Sequence, residues 1–429
     1  MQAEYRQRRQ ALMDKIGAGT AIFRSAPMAV MHNDVAYNFR QDSDFYYLTG
    51  FDEPEAVAVL APHHPEHRFV LFVQPKDPEQ ETWHGYRVGV EAAQSEYGAD
   101  VAYPISELNE HLPQYLEAAD RIFYRLGRDR DFNQQVLSHW QRLIATHGKR
   151  GTGPVAIEDV GFTLHGMRLV KSDAELELLR HAIAISVEAH NTARDMTQPG
   201  RYEYEIQAEM EYIFAKQGAI GPAYPSIVAS GPNACILHYT ENTRQMQDGD
   251  LLLIDAGASY GYYNADITRT FAVGSAMNRE QQALYELVLA AQEAAIAQVQ
   301  PGVPYNAFHD AAVRVLTTGL VELGLLVGDI DTLIQEEMYK PFYMHRTGHW
   351  LGLDVHDVGP YKIGKETWQP LQPGNVVTVE PGLYVSPDIQ LAEDQPLVPE
   401  CWRGIGIRIE DDVLVTDTGH EVLTAAVPK

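Results

Sequence analysis

A chain of 429 residues with 45% hydrophobic and 21% charged composition is a globular protein with a real core, long enough for two domains. Its 59 acidic against 33 basic residues give a formal charge of −26, which disfavours nucleic acid and anionic membranes as partners and reads otherwise as solubility. No apolar run approaches a membrane span, the first residues carry no signal-peptide pattern, and Cys235 and Cys401 lack the spacing of a disulfide framework or thiolate zinc site. A cytoplasmic protein is expected.

In the amino-terminal part, apolar runs at 56–60 and 69–73 alternate with helical patterns at 94–97 and 133–144, which predicts an α/β layer with its own sheet. Residues 161–170 read as irregular. Ser172 and Glu175 then stand in capping-box spacing before Leu176, Leu179, Ile183 and Val187. A long helix and a second domain are predicted to start there, so the domains are 1–170 and 171–429. A helix at 202–217 should end at Gly218, with further helices at 278–300 and 305–323. Strands are expected at 226–229, 251–255, 266–273, 376–379 and 405–415. Helices and antiparallel strands fall in separate groups, which makes the second domain α+β.

The chemistry lies on those strands. Leu251-Leu252-Leu253-Ile254-Asp255 is an apolar run ending in a carboxylate, and Asp266-Ile267-Thr268-Arg269-Thr270 follows a short polar stretch. With Tyr260-Gly261 as a two-residue turn, Asp255 faces Asp266. Like charges in opposed positions are destabilising unless a cation or a shared proton lies between them; for two isolated aspartates, one capping a turn and pointing to water is the alternative. Alternation puts Gly406, Arg408 and Glu410 on one face of their strand, and Thr378 with Glu380 on one face of theirs, before Pro381-Gly382. His345, His349 and His356 fall within a glycine-broken segment of twelve residues. Histidines so dense beside strand-borne carboxylates suggest a site rather than packing.

The sequence resembles the aminopeptidase P family of pita-bread metallopeptidases, related to prolidase and methionine aminopeptidase. The resemblance is densest in Ile236-Leu237-His238-Tyr239-Thr240-Glu241-Asn242, Ile254-Asp255-Ala256-Gly257-Ala258, Asp266 to Phe271, Gly348 to Asp357, Val379 to Tyr384 and Gly404 to Asp412. It extends to Arg40 through Phe51 and Trp83 through Gly89, in an amino-terminal domain that methionine aminopeptidases lack.

The resemblance implies an α/β amino-terminal domain, serving oligomerisation and substrate access, and an α+β pita-bread catalytic domain. It implies two divalent metal ions: Asp255 on one, Asp266 and Glu410 bridging, His349 and Glu380 completing the second. Four carboxylates and one imidazole suit Mn2+ or a similar hard ion, with zinc, cobalt and iron left open. A hydroxide shared by the ions would attack the carbonyl before a proline at position 2 of a peptide, and Glu380 would carry its proton to the leaving nitrogen. His238, His345 and His356 match histidines that hold the substrate and line the proline pocket. Arg408 is expected to orient Glu410 or to meet the substrate's distal end, and Tyr224 and Tyr384 to lie near the pocket or in the core. Trp83 matches a tryptophan that a neighbouring subunit contributes in tetrameric relatives, so a homotetramer is expected, with a dimer as the alternative. Two other functions are open at this point: a prolidase cutting Xaa-Pro dipeptides, and a catalytically silent peptide-binding protein, against which the retained ligands and histidines count.

Overall fold

In the computed structural model, which describes every residue from Met1 to Lys429, the chain folds as two units, Met1–Met167 and Arg168–Lys429. The first is built on a six-stranded mixed sheet in the order Val101–Pro104, Phe69–Val73, Val57–Leu60, Thr20–Arg24, Ile122–Phe123 and Ile157–Glu158. Its central pairings are antiparallel and the outer ones parallel. Val57–Leu60 and Phe69–Val73 are buried along their whole length, which is why they read as continuous apolar runs rather than as alternation. Helices Leu108–Leu116 and Arg130–Arg150 bring Leu112, Tyr115, Phe132 and Val136 into one core with Val59 and Phe72.

The pattern at 133–144 is the middle of a longer helix that starts where the Asp129 side chain accepts from Phe132 N. Residues 161–170, expected to be irregular, instead contain the helix Gly161–Arg168. Its two glycines lower helix propensity, but buried Leu164 anchors it and Asp159 Oδ1 accepts from Gly161 N at 2.7 Å.

In the second unit, the capping box at Ser172 is present and opens the helix Asp173–Met196. Helix Glu203–Lys216 follows, with Gly218 at φ 82° just beyond it. Both pack on the sheet strand Leu251–Asp255, joining Ile185, Ala189, Ile206 and Met210 to Leu252 and Ile254. Helices Arg279–Ile296 and Ala307–Glu322 belong to a second core with Val377, Ile407 and Val413. No helix of the chain is long and apolar enough to cross a membrane.

The strand expected at 405–415 is two strands: Ile405–Arg408 pairs with Gly382–Val385, and Asp411–Val415 pairs with Val376–Val379. Proline at 381 cannot donate to a ladder, so the partner chain breaks after Glu380 and the facing chain changes partner at 409–410. Glu410 is left in an isolated bridge with Thr268.

The hairpin register also differs from the expected one. Asp255 faces Thr268, Ser259 faces Asn264 and Tyr260 faces Tyr263. The turn residues are therefore Gly261 and Tyr262, at φ 54° and 72°, the left-handed pair that a tight hairpin with right-twisted strands requires. Moving the turn by one residue moves each pairing by two, and side chains alternate with a period of two, so Asp266 keeps the face expected of it. The ladder is interrupted at Ala256 and Gly257. There the chains approach so closely that a Cβ on Gly257 would stand 1.8 Å from the Ala265 carbonyl oxygen.

Candidate metal centre

Asp255 closes a fully buried strand, and Asp266 starts the returning chain. Tyr224 Oη lies 2.6 Å from Oδ1 of both. A phenol has one proton to give, so two ionised carboxylates at that oxygen require a cation or a further proton beside them. The other oxygen of Asp255 accepts from Arg408 Nη2 at 2.6 Å. Even so, burial raises the Asp255 carboxyl above its ordinary value, opposed by Arg408 and reinforced by Asp266.

Glu410 is buried at the changeover between its two strands and accepts from Thr268 Oγ at 2.6 Å. Burial, with the neighbouring Asp266, Glu380 and Asp255, holds its carboxyl well above the usual range. Glu380 is raised for the same first reason, partly countered by His349. His349 donates from Nδ1 to the Trp350 carbonyl at 3.0 Å, which leaves Nε2 facing Asp266 Oδ2 at 3.3 Å and Glu380 Oε1 at 3.6 Å. Burial would lower its pKa, but the Asp266 hydrogen bond and the charges of Glu380 and Asp266 outweigh it and raise it to about 9. The surroundings that favour a proton on this ring favour a metal cation for the same electrostatic reason. One donor atom each from Asp266, His349 and Glu410 lie within 4.8 Å of one another. All five residues singled out from the sequence thus meet at one place, with donors that suit a hard divalent ion.

A second chain of contacts runs beside them. Arg408 Nη1 donates to Tyr384 Oη at 3.0 Å, and that hydroxyl lies 2.8 Å from His345 Nε2. His345 Nδ1 lies 2.8 Å from the Arg346 carbonyl, which can only accept. The order of donors is therefore Arg408, Tyr384, His345. Burial and the Arg408 charge lower His345 to about 3, so the ring is neutral, and burial pushes Tyr384 up to about 12. Arg408 reaches Asp255 directly and Glu410 only through Thr268, whose Oγ receives its Nε at 3.2 Å. His356 is exposed with its ring 4.3 Å from that of His349, and His238 is exposed just beyond the turn Gly231–Cys235. Trp83, in the amino-terminal unit, is 78% exposed on the helix Pro78–His84, which buries none of its residues.

Three supports of this site were missed in the sequence. Glu203, fully buried, accepts from Ser230 N and Oγ, Tyr239 Oη and Arg244 N at 2.6–2.8 Å, and so ties down both ends of the loop that carries His238. Asp357 accepts from Lys171 Nζ at 3.0 Å and Arg168 Nη2 at 2.5 Å, all three buried, at the end of the segment bearing His349 and His356. Arg269 donates to the carbonyls of Thr268 and Glu410 at 2.9 and 2.5 Å and to Asp411 at 2.7 Å. Only Arg269, the one charged residue inside the largely buried strand Thr268–Ala272, announces itself locally; the other two are paired across long sequence separations.

Comparison with known proteins gives the same picture from outside. Residues 177–417 match the model of metallopeptidase family M24, and residues 5–124 that of the aminopeptidase P N-terminal domain. The chain is 43% identical to the Xaa-Pro aminopeptidase of Escherichia coli over 428 residues, 99% of this chain and 95% of that one. It is similar to the structure of Pseudomonas aeruginosa aminopeptidase PepP, with a TM-score of 0.95 and 48% identity, over 100% of this chain and 96% of that one. Zinc-substituted E. coli aminopeptidase P in complex with product is similar too, with a TM-score of 0.93 and 42% identity, over 100% and 96%.

Proposed function

We infer the reaction from one premise: this chain belongs to metallopeptidase family M24 and carries the aminopeptidase P amino-terminal domain ahead of the pita-bread catalytic fold. It is an Xaa-Pro aminopeptidase, a hydrolase that releases the N-terminal residue from peptides with proline in the second position. The observation that carries this reading is the convergence of Asp255, Asp266, His349, Glu380 and Glu410 beside three histidines.

In our assignment Asp255, Asp266, His349, Glu380 and Glu410 would hold two divalent ions; four carboxylates and no thiolate favour Mn2+. Such ions, when bound, make water a nucleophile near neutral pH and polarise the scissile carbonyl. The remaining work falls to side chains. Glu380, whose carboxyl burial holds above the usual range, accepts the proton of the attacking water and delivers it to the proline nitrogen, a secondary amine that leaves only when protonated. Arg408 holds Asp255 in place and, through Tyr384, presents His345 as a neutral ring with a fixed tautomer. His238 and His356 are both exposed, His356 with its ring 4.3 Å from that of His349 and His238 near enough for its charge to act on His345 and His356; in our assignment they bind the substrate backbone and flank the proline ring, with Tyr224 and Tyr384 forming the inner wall.

We assign residues 1–170 to oligomerisation and substrate access. Helix Pro78–His84 and the hairpin of Val30–His32 with Val35–Ala36 bury nothing in their own unit, yet they expose Trp83, Val30, Met31 and Val35. Elements this short are marginal alone in water, which supports a second copy covering them, in a homotetramer. Two free thiols, Cys235 and Cys401, suit the reducing cytoplasm.

The test is hydrolysis by metal-stripped protein given one divalent ion at a time. Cleavage of Xaa-Pro-Yaa, strongest with Mn2+, is expected. Cleavage of Xaa-Pro dipeptides alone would make the protein a prolidase, and no metal-dependent cleavage of either would sink the catalytic reading.

A further inference from the structure

Helix Asp173–Met196 packs against the strand ending in Asp255. On its inner face, one turn apart, stand two fully buried polar residues, Ser186 and His190. Both reach the interruption in the hairpin that separates Asp255 from Asp266. Buried backbone groups outside a ladder need partners from elsewhere. Ala256 N donates to the Ile267 carbonyl at 3.1 Å, and Ala265 N to the Ala258 carbonyl at 3.0 Å. Ala223 N, next to Tyr224, donates to the Gly257 carbonyl at 2.8 Å. The helix meets two further groups: His190 Nε2 lies 2.8 Å from the Ala256 carbonyl, and Ala258 N donates to Ser186 Oγ at 2.9 Å.

A carbonyl only accepts, so the His190 proton sits on Nε2 and Nδ1 is a bare acceptor. Nδ1 is buried without a partner, an uncompensated cost that leucine in the same space would avoid. Packing therefore does not account for a histidine here; its one hydrogen bond does.

We propose that His190 and Ser186 are positioning residues of the metal centre: by gripping the Ala256 carbonyl and the Ala258 amide, they hold the interruption in the shape that keeps both Asp255 and Asp266 on Tyr224. The inference rests on the reading that these aspartates bind metal. They act on geometry upstream of the ligands, so their loss weakens cation binding before it affects turnover by loaded enzyme.

The experiment titrates Mn2+ into metal-stripped wild type, His190→Leu, His190→Gln and Ser186→Ala, with amide hydrogen exchange over residues 255–266 of the metal-free proteins. His190→Leu is expected to weaken Mn2+ binding roughly 10- to 100-fold, with kcat largely recovered at saturating Mn2+. His190→Gln, whose amide N–H can reach the same carbonyl, restores most of the affinity, and Ser186→Ala shows a smaller loss. Exchange over 255–266 rises in the same order, while exchange in the amino-terminal sheet stays unchanged. Wild-type affinity and exchange in His190→Leu overturn the proposal, as does a glutamine variant no better than leucine. If the leucine variant does not fold, wild-type behaviour of Ser186→Ala in both assays overturns it. A wild type that binds no divalent ion removes the metal reading instead, and exchange alone then decides the role of His190.

Discussion

The two units contain equally buried strands and use them differently. In the amino-terminal sheet, Val57–Leu60 and Phe69–Val73 are buried from end to end and carry only apolar side chains. In the catalytic unit, Leu251–Asp255 and Asp411–Val415 are buried just as completely and carry Asp255, Asp411 and Asp412. Burying charge is costly unless it is paired. The amino-terminal sheet is thus a stability device, whereas these two strands, which belong to separate sheets, accept a local cost, answered in part by Arg408 and Arg269, that keeps carboxylates at and beside the candidate metal centre.

Separating activity from stability breaks or confirms this contrast. The largest effect is expected for Glu380→Ala, which should lower kcat on Xaa-Pro-Yaa by about 10³-fold or more while leaving the metal-free melting temperature unchanged or higher, since a like charge is removed. The mirror experiment is Phe72→Ala in the apolar sheet, expected to cost about 3–5 kcal/mol in urea unfolding with Mn2+ affinity unaltered. A fall in Mn2+ affinity there would end the division of labour.

Asp357→Ala tests the paired charges of the catalytic unit. It leaves Lys171 and Arg168 buried beside no carboxylate, and the expected cost is about 3–5 kcal/mol, read by the same unfolding assay. Asp357→Asn should cost less, because it keeps acceptor capacity for one of the two.

Acidification sharpens the comparison further. Burial lowers His190 to about 4 and His309 to about 3, from 6.5 when unfolded. Below pH 6.5 the unfolded chain takes up these protons and the folded one does not, so stability falls as pH drops, until the folded rings protonate near 4 and 3. The full loss is roughly 3 kcal/mol for His190 and roughly 5 kcal/mol for His309, developing below pH 6.5. In metal-free protein the raised carboxyls of Asp255, Glu380 and Glu410 act in the opposite sense as pH falls, so the histidine contribution is read by difference: between pH 7 and 5 the urea midpoint of His309→Gln should fall less, or rise more, than that of wild type. The smallest effect belongs to Trp83→Ala: exposed side chains away from special features change stability by within about 0.5 kcal/mol, yet KM for tripeptides should rise if a neighbouring copy uses this ring.

Much of this was legible because it is local. Ser172 with Glu175, the apolar runs of both sheets and the strands carrying Asp255 and Glu380 each show their periodicity within a few residues. The hairpin turn was misplaced by one residue because Tyr262, bulky and at positive φ, does not look like a turn residue beside Gly261. The site residues stayed together despite that error, since a two-residue slip preserves the face. What could not be read was pairing at a distance. Glu203 looks like an ordinary first-turn helix acid, and Asp357 finds Lys171 across 186 positions. The break between Arg408 and Glu410 was also hidden: strict alternation continues through it, and only the tertiary partners reveal that the strand changes hands.

Arg269 carries a consequence for the order of events during synthesis. Its guanidinium is held on one side by the Glu410 carbonyl and Asp411, and on the other by the carbonyls of Val427 and Pro428, 158 and 159 positions downstream. Lys429 completes the cluster on Asp411 at 2.5 Å. A nascent chain can therefore assemble the amino-terminal sheet, and even the Asp255 hairpin, while the cation under Glu410 still lacks its last partners. Until residues 424–429 pack against it, the guanidinium beneath Glu410 lacks the Val427 and Pro428 carbonyls, so the backbone under that carboxylate is finished from a segment far along the chain.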